Sequence, residues 1–354
     1  MTTAEIPGPA EISGPAGISG PAGIFDPLGT LDILDTLGSL GEQAVLARIF
    51  PRLPTAASEL LGPGDDAAVV AAPDGRVVIT TDMMIHGPDF RLAWSTPYDL
   101  GWKAAASNLS DIAAMGAVPT ALVVALAVPA GTPVLVLEQF SDGLRHGCDS
   151  LAPGCGVVGG DLSVSTVFTI AVTALGDLEG RAPVLRSGAV VGDVVAVSGV
   201  LGAAAEGLRL LFEHGTVDSV PDVASAARLR LEHGAAIAAQ LAPQPPIADG
   251  PAAAIAGATA MLDLSDGLAI DARRLAAASG VALDLSSAAV GGKLQLDGGE
   301  DHSLLATFPA TTVLPGGFRA IGMVVAGAGV LVDGEPYIES SGWDPYRGWD
   351  GAAG

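Results

Sequence analysis

Basic residues are scarce in this chain. Lys and Arg together number 16 against 39 Asp and Glu, a formal net charge of −23, and the only lysines are Lys103 and Lys293. No basic face is available for a phosphate backbone or an anionic bilayer, so nucleic-acid binding and membrane-surface binding are excluded as expectations. Small phosphorylated ligands stay possible, provided that metal ions supply the positive charge. Cysteine is almost absent. Cys148 and Cys155 fit no CxxC or Cys/His spacing, which excludes a thiolate zinc site and leaves a pair of buried thiols. The five histidines are scattered, and no Ser-His-Asp arrangement stands out. No GxxxxGK[ST] loop and no kinase HRD/DFG set occur. The N-terminus lacks a basic segment followed by an apolar one, so no secretory leader is expected and the chain is expected to be cytoplasmic. The charge-free run Ile112 to Leu137 is long enough to span a bilayer, yet Pro119, Pro129 and Pro133 break it into a helix end, a buried strand and a turn.

What is present is a folded, turn-rich body. Hydrophobic residues make up 49% and charged residues 16% of 354, with 48 Gly and 25 Pro. This length accommodates two domains with real cores. Residues 1–37, with ISGPAG twice, read as a disordered Gly/Pro/Ala-rich extension. Residues 38–177 and 178–346 read as two α+β domains joined at the turn-rich segment GDLEGRAPVLRSGAVVGD, with 347–354 as a tail. Helices are expected at 41–50, 96–115, 134–151, 201–212 and 224–241, and after the strand–turn unit TAMLDLSDG. Strands are expected on either side of Pro73-Asp74-Gly75, and at 120–128, 164–175, 193–199, 281–285, 303–308 and 330–332.

The acids sit at the ends of these elements. GPGDDAAVV carries Asp65, TTD carries Asp82, NLSD carries Asp111, VVGGD carries Asp161, LDLSD carries Asp263 and Asp266, and DGGED carries Glu300. One Asp beside Gly is most often a cap or turn residue. Six such sites at the edge of apolar runs point to convergence. Converging carboxylates repel by roughly 4 kcal/mol per close pair at an effective dielectric of 20, so they need cations. An oxygen-rich set poor in Cys and His selects a hard ion such as Mg²⁺. Lys103, Ser107 and Asp111 share one helix face by their i, i+4, i+8 spacing, and the apolar flanks make that face partly buried. Such residues suit phosphoryl transfer, which depends on positioning and charge neutralisation.

In order, GDDAAVV, TTDMMI…F, GWKAAASNLSDIAAMGAVP, VVGGDLS, LRSGAVVGDVVAVSG, LDLSDGLAIDARRLA, GGEDHSLLATF and SGWDPY resemble the thiamine-monophosphate kinase family of the aminoimidazole-ribotide-synthetase-like superfamily, across residues 38–346. The resemblance implies a two-domain α+β fold, a homodimer, several Mg²⁺ ions, and ATP with thiamine phosphate as substrates. By motif it implies metal ligation by Asp65, Thr80, Thr81, Asp82, Asp111, Asp161, Asp263 and Asp266, with Asp82, Asp111 and Asp266 central to catalysis. It implies ATP contacts by Gly160, Asp161, Arg186 and Ser265. It implies acceptor contacts by Glu300, Trp343 and the position of Asp89. Three departures fall on the acceptor side. Asp89 stands where the family has histidine, the 286–297 segment is shorter than usual, and the C-terminal aromatic-Asp-His-aromatic pattern reads Trp343-Asp344-Pro345-Tyr346. The competing readings are another ATP-dependent member of the superfamily and a relative that binds Mg-nucleotide without turnover. The absence of a reactive N-terminal cysteine motif and of a C-terminal cysteine tail counts against selenophosphate synthetases and hydrogenase-maturation dehydratases.

Overall fold

The computed structural model describes residues 35–63 and 67–339. Asp65, Trp343, the proposed extension up to residue 34 and the 347–354 tail lie outside the described residues. The first half opens with α1 (Leu37–Leu40) and α2 (Glu42–Ile49), then the short pair β1 (Glu59–Leu61) and β2 (Val69–Val70). It continues with β3 (Val78–Ile85), α3 (Pro97–Ala114), β4 (Val118–Val128), α4 (Val134–Leu151), β5 (Gly156–Val164) and β6 (Thr169–Asp177). The second half runs β7 (Val194–Ser198), α5 (Ala203–His214), β8 (Thr216–Val217), β9 (Val220–Pro221), α6 (Val223–Glu232), α7 (Gly234–Leu241) and α8 (Asp249–Ile255). It closes with β10 (Ala260–Leu264), α9 (Leu268–Ser279), β11 (Ala282–Leu285), α10 (Ser287–Val290), α11 (Lys293–Asp297), β12 (Ser303–Phe308), β13 (Arg319–Val325), β14 (Gly329–Val332) and β15 (Glu335–Pro336).

Two mixed sheets carry the architecture, packed with helices in an α+β arrangement. The first has the order β3-β6-β4-β5, and the second the order β10-β12-β7-β13-β11-β14-β15. Helix α3 lies between them. Thr96 starts it with a capping box, its hydroxyl accepting from Asp99 N while the Asp99 carboxylate accepts from Thr96 N, and Pro97 occupies the first turn. Nearly all of α3 is buried. Gly101 and Gly143 let α3 and α4 touch backbone to backbone. A Cβ at Gly101 would stand 2.0 Å from Phe140 O, and one at Gly143 would stand 2.0 Å from Tyr98 O. One apolar core joins the halves, with Ile112 and Ala113 of α3 packed among Ala253, Met261, Leu304 and Phe308.

Several expectations change. The helix expected at 224–241 is two, because His233 leaves the helical region at φ −129° and ψ 37°. The strand expected at 164–175 is the end of β5 and most of β6, separated by a turn. Strands β2 and β3 flank the turn at 73–75 but do not pair with each other, since β2 pairs with β1 and β3 with β6. Strand β13 was hidden by glycine and by its edge of Arg and Ala. The charge-free run becomes the end of α3, β4 and the start of α4. No helix of the described residues is long and apolar enough to cross a membrane. Cys148 and Cys155 are buried and unbonded as thiols. The Cys155 thiol beside it, and then burial, push the Cys148 thiol well above its ordinary range.

Candidate active site

Thr80 and Asp82 lie two apart on β3, so they share a face of the sheet. On that face α3 brings Asp111, whose carboxylate accepts from Thr80 Oγ1 at 2.9 Å. Asp263, near the end of β10, faces the same helix, and Ser110 Oγ donates to its Oδ2 at 3.3 Å. His302 Nδ1 stands 3.5 Å from that oxygen. The charges act on one another. Burial, then Asp263 and Asp82, push the Asp111 carboxyl up to about 7. Burial raises Asp82 as well, with Asp263 and Glu300 adding to it and His302 opposing. Asp82, Asp111 and Asp263 are therefore one electrostatic cluster.

Asp266 and Ser265 follow β10 at the start of α9. Arg274 Nη1 bridges Asp266 Oδ2 and Asp271 Oδ1, each at 2.6 Å. Burial lifts Asp271 to about 6 against the pull of Arg274. Ser265 O accepts from Glu300 N at 2.8 Å, which ties the 297–302 loop to this end of β10. Gly299 is needed there, since a Cβ would meet Ser265 O at 2.5 Å. Glu300 and His302 both adopt left-handed backbone, φ 71° and 52°, a conformation that costs on the order of 1 kcal/mol for a non-glycine residue and gathers at functional sites.

The Glu300 carboxylate forms an ion pair with Lys103, which is buried on α3 and also donates to Gln240 O at 3.2 Å. Burial alone would raise the Glu300 carboxyl, but Lys103 and His302 hold it below its usual range. Burial likewise works against the charged form of His302, and Asp263 and Glu300 outweigh it, so that imidazole lies above its ordinary value. Lys103, Glu300 and Asp89 line one cavity of about 370 Å³, with Phe90, Arg91, Trp94, Leu208 and Phe212. Asp89 has a local duty too, its Oδ2 accepting from Ile85 N at 2.7 Å.

Other expected residues stand apart. Thr81 points to the opposite face from Asp82, and its hydroxyl donates to Val172 O at 3.0 Å. Gly160 and Asp161 are on β5, at the far edge of the sheet from β3. The register runs Asp82–Val172–Val124–Gly160, three strand spacings or roughly 14 Å. The alternation groups Asp161 with Thr81, not with Asp82. Arg186 is exposed, and its carbonyl accepts from Ser279 Oγ at 3.1 Å at the C-terminal end of α9. Asp266 is at the other end of that 12-residue helix, roughly 18 Å away. The chain thus gathers Thr80, Asp82, Asp111, Asp263, Ser265, Asp266, Glu300 and Asp89, and leaves Thr81, Gly160, Asp161 and Arg186 outside. His302 was not singled out from sequence. Its place directly after GGED, at the head of the apolar strand SLLATF, was the available signal.

The donor set suits a hard cation, since hydroxyl and carboxylate oxygens meet here without thiolate. Among the described residues no three His, Cys, Asp or Glu side chains converge closely enough to form a complete ion cage. Mg²⁺ in general binds through one or two carboxylates together with substrate phosphates and retained water. Asn108, one turn before Asp111, also keeps its buried Oδ1 without a hydrogen-bond partner.

Residues 64–178 match the family described as AIR synthase related protein, N-terminal domain. The thiamine-monophosphate kinase of Mycobacterium tuberculosis is 46% identical over 325 residues, covering 87% of this chain and 92% of the relative. That of Corynebacterium glutamicum is 38% identical over 328 residues, covering 86% and 93%. A solved structure described as AaThiL complexed with AMPPCP and TMP aligns with a TM-score of 0.65 at 31% identity, covering 87% of this chain and 98% of that one. The Escherichia coli hydrogenase maturation protein HypE, at 18% identity and a TM-score of 0.59 over 85% and 95%, shares the fold alone.

Proposed function

The chain belongs to the thiamine-monophosphate kinases, and from that premise we propose that it transfers a phosphoryl group from ATP to thiamine phosphate, yielding thiamine diphosphate and ADP. The observation that carries this reading is the contact of two unlike environments. A cavity of about 370 Å³ with an ion-paired Lys103–Glu300 wall adjoins the carboxylates of Asp82, Asp111 and Asp263.

The acceptor oxygen belongs to a phosphate that is already anionic near neutral pH, so the reaction needs positioning more than a strong base. The site agrees, because its histidine is committed to Asp263. Asp82, Asp111 and Asp263, with Thr80 and Asp266 beside them, would hold Mg²⁺ bound with the nucleotide. Bound there, Mg²⁺ would neutralise polyphosphate charge. Asp65 belongs to the same proposed set. Lys103 keeps Glu300 ionised at the cavity wall, where its charge complements the thiazolium of the acceptor. Ser265, which follows Asp263 and Leu264, is proposed to contact the nucleotide, and Trp343 to contact the acceptor.

We also propose a homodimer working in the cytoplasm, with the domain division after Asp177. The outward face of the first sheet supports the dimer. Ile79 is 66% and Met83 59% exposed there, beside Val123 and Thr81, an apolar surface that a second copy would cover. Asp161 shares this outward face with Thr81, while Gly160 lies in register with Asp82 at the far edge of the sheet, so their nucleotide roles, and that of Arg186, are proposals for the assembled dimer. Purified protein incubated with ATP, Mg²⁺ and thiamine phosphate is expected to form thiamine diphosphate, read by chromatography. Absence of product while Mg-ATP still binds would refute the kinase reading and favour a binding protein without turnover.

A further inference from the structure

The acidic wall explains one end of the cavity and leaves the other. Aromatic residues are 4% of the chain, yet Phe90, Trp94 and Phe212 all line this one space. Trp94 is buried and fixed, its indole N–H donating to Gly215 O at 2.8 Å. It meets Phe212 edge to face, with ring centroids 5.0 Å apart at 84°. The Arg91 guanidinium lies 4.8 Å from each of the two ring centroids. Phe212 nevertheless keeps 46% of its surface exposed. Its ring is thus held against Trp94 and Arg91, with part of its surface open at the cavity wall.

The cavity wall differs from place to place. Arg91 lies over the two rings, whereas Glu300, ion-paired with Lys103, is close enough to act on Asp82, and Arg209 is paired with Glu206 and Glu213. A cation on a ring already facing a guanidinium is disfavoured, and a neutral heteroaromatic ring is not. The thiamine skeleton runs from neutral aminopyrimidine through cationic thiazolium to phosphate. We propose that Phe212 is a specificity-determining residue that receives the aminopyrimidine ring, which places the thiazolium by Glu300 and the phosphate toward Asp82 and Asp111. This inference rests on the kinase reading above and deepens it.

The test uses the full-length protein and two probes, thiamine phosphate and the phosphate ester of hydroxyethylthiazole, which lacks the pyrimidine. Calorimetry on Phe212→Ala is expected to show about tenfold weaker binding of thiamine phosphate, the scale of one lost aromatic contact. The thiazole phosphate and ATP are expected to bind as in the wild type. In turnover the variant should show the same rise in KM for thiamine phosphate with kcat within about threefold, and Phe212→Tyr should restore KM. Equal weakening of both probes, or unchanged thiamine phosphate binding, would overturn the assignment. Circular dichroism and the melting midpoint monitor folding, and Phe212→Leu, which keeps bulk but removes the π-face, repeats the test if the alanine variant is unstable. A wild-type enzyme that makes no thiamine diphosphate refutes the underlying reading instead, while normal wild-type turnover with an unaffected variant refutes this inference alone.

Discussion

The acid cluster and the acceptor cavity adjoin each other but are built by opposite rules. The cluster stands on the interiors of regular elements, β3, α3 and β10, and its groups are like-charged. Its order comes from the scaffold. The cavity is walled by the 86–95 loop, α5, α7 and the 297–300 loop, and its groups are already matched, Lys103 with Glu300 and Arg91 with two rings. Rigid elements fix the reacting charges, while loops shape the acceptor's fit. One departure from the family pattern, Asp89, stands in this wall, where a loop residue exchanges without disturbing the sheet.

Substitutions can break this contrast, the strongest at the cluster. Asp111→Asn is expected to reduce kcat by roughly 10³-fold, since the amide lacks the charge that would hold a cation against the phosphoryl groups. Near-normal turnover in a steady-state assay would mean that the cluster is not the reaction centre. Lys103→Met should come next. It leaves Glu300 without its partner, and kcat/KM for thiamine phosphate should fall by about tenfold to a hundredfold, with partial recovery in Lys103→Arg. If ATP binding fell equally, the two regions would not be separable at this residue. Asp89→His should lower KM for thiamine phosphate by a few-fold if the position contacts the acceptor. An unchanged KM would leave Asp89 as a brace for the turn through Ile85 N.

The smallest effect is on stability without ligands. Asp111 holds its proton in the folded state up to about 7, above its ordinary 3.8. The ionised form is therefore penalised by folding, and the ligand-free protein should lose stability as pH rises from about 4 to about 7. Asp111→Asn removes that loss. Its melting midpoint should exceed the wild type's by a few degrees at pH 8 and coincide with it below about pH 4. A constant difference at all pH values would point to packing instead of charge.

Much of the cluster was legible because its logic is local. An acid in a β-branched run, or set in an apolar helix, is visible in TTD and NLSD without any knowledge of topology, although β3 continues past Asp82 to Ile85 instead of ending there. Long-range placement was not legible. VVGGD looks like the same kind of motif, but strand order puts β5 across the sheet from β3, and no periodicity encodes strand order. Arg186 shows the same limit, since its place a helix length from Asp266 follows from packing and not from motif order. The aromatic end of the cavity was invisible for a related reason. Phe212 and Trp94 sit 118 positions apart, each resembling an ordinary core residue of its own segment. His302 was missed because one histidine beside a strand has no spacing to reveal it.

The loop from Glu300 to His302 has one more consequence. Glu300 faces the cavity, Asp301 accepts from Gly202 N and Ala204 N at the head of α5, and His302 meets Asp263. Three successive residues thus fasten the cavity wall, the helix that presents Phe212 and the carboxylate cluster to a single short spindle. Altering acceptor preference through this loop would also turn the reaction centre, so new substrates are more accessible by changing the rim at Arg91 or Leu208 than by changing the residues that grip the acceptor most directly.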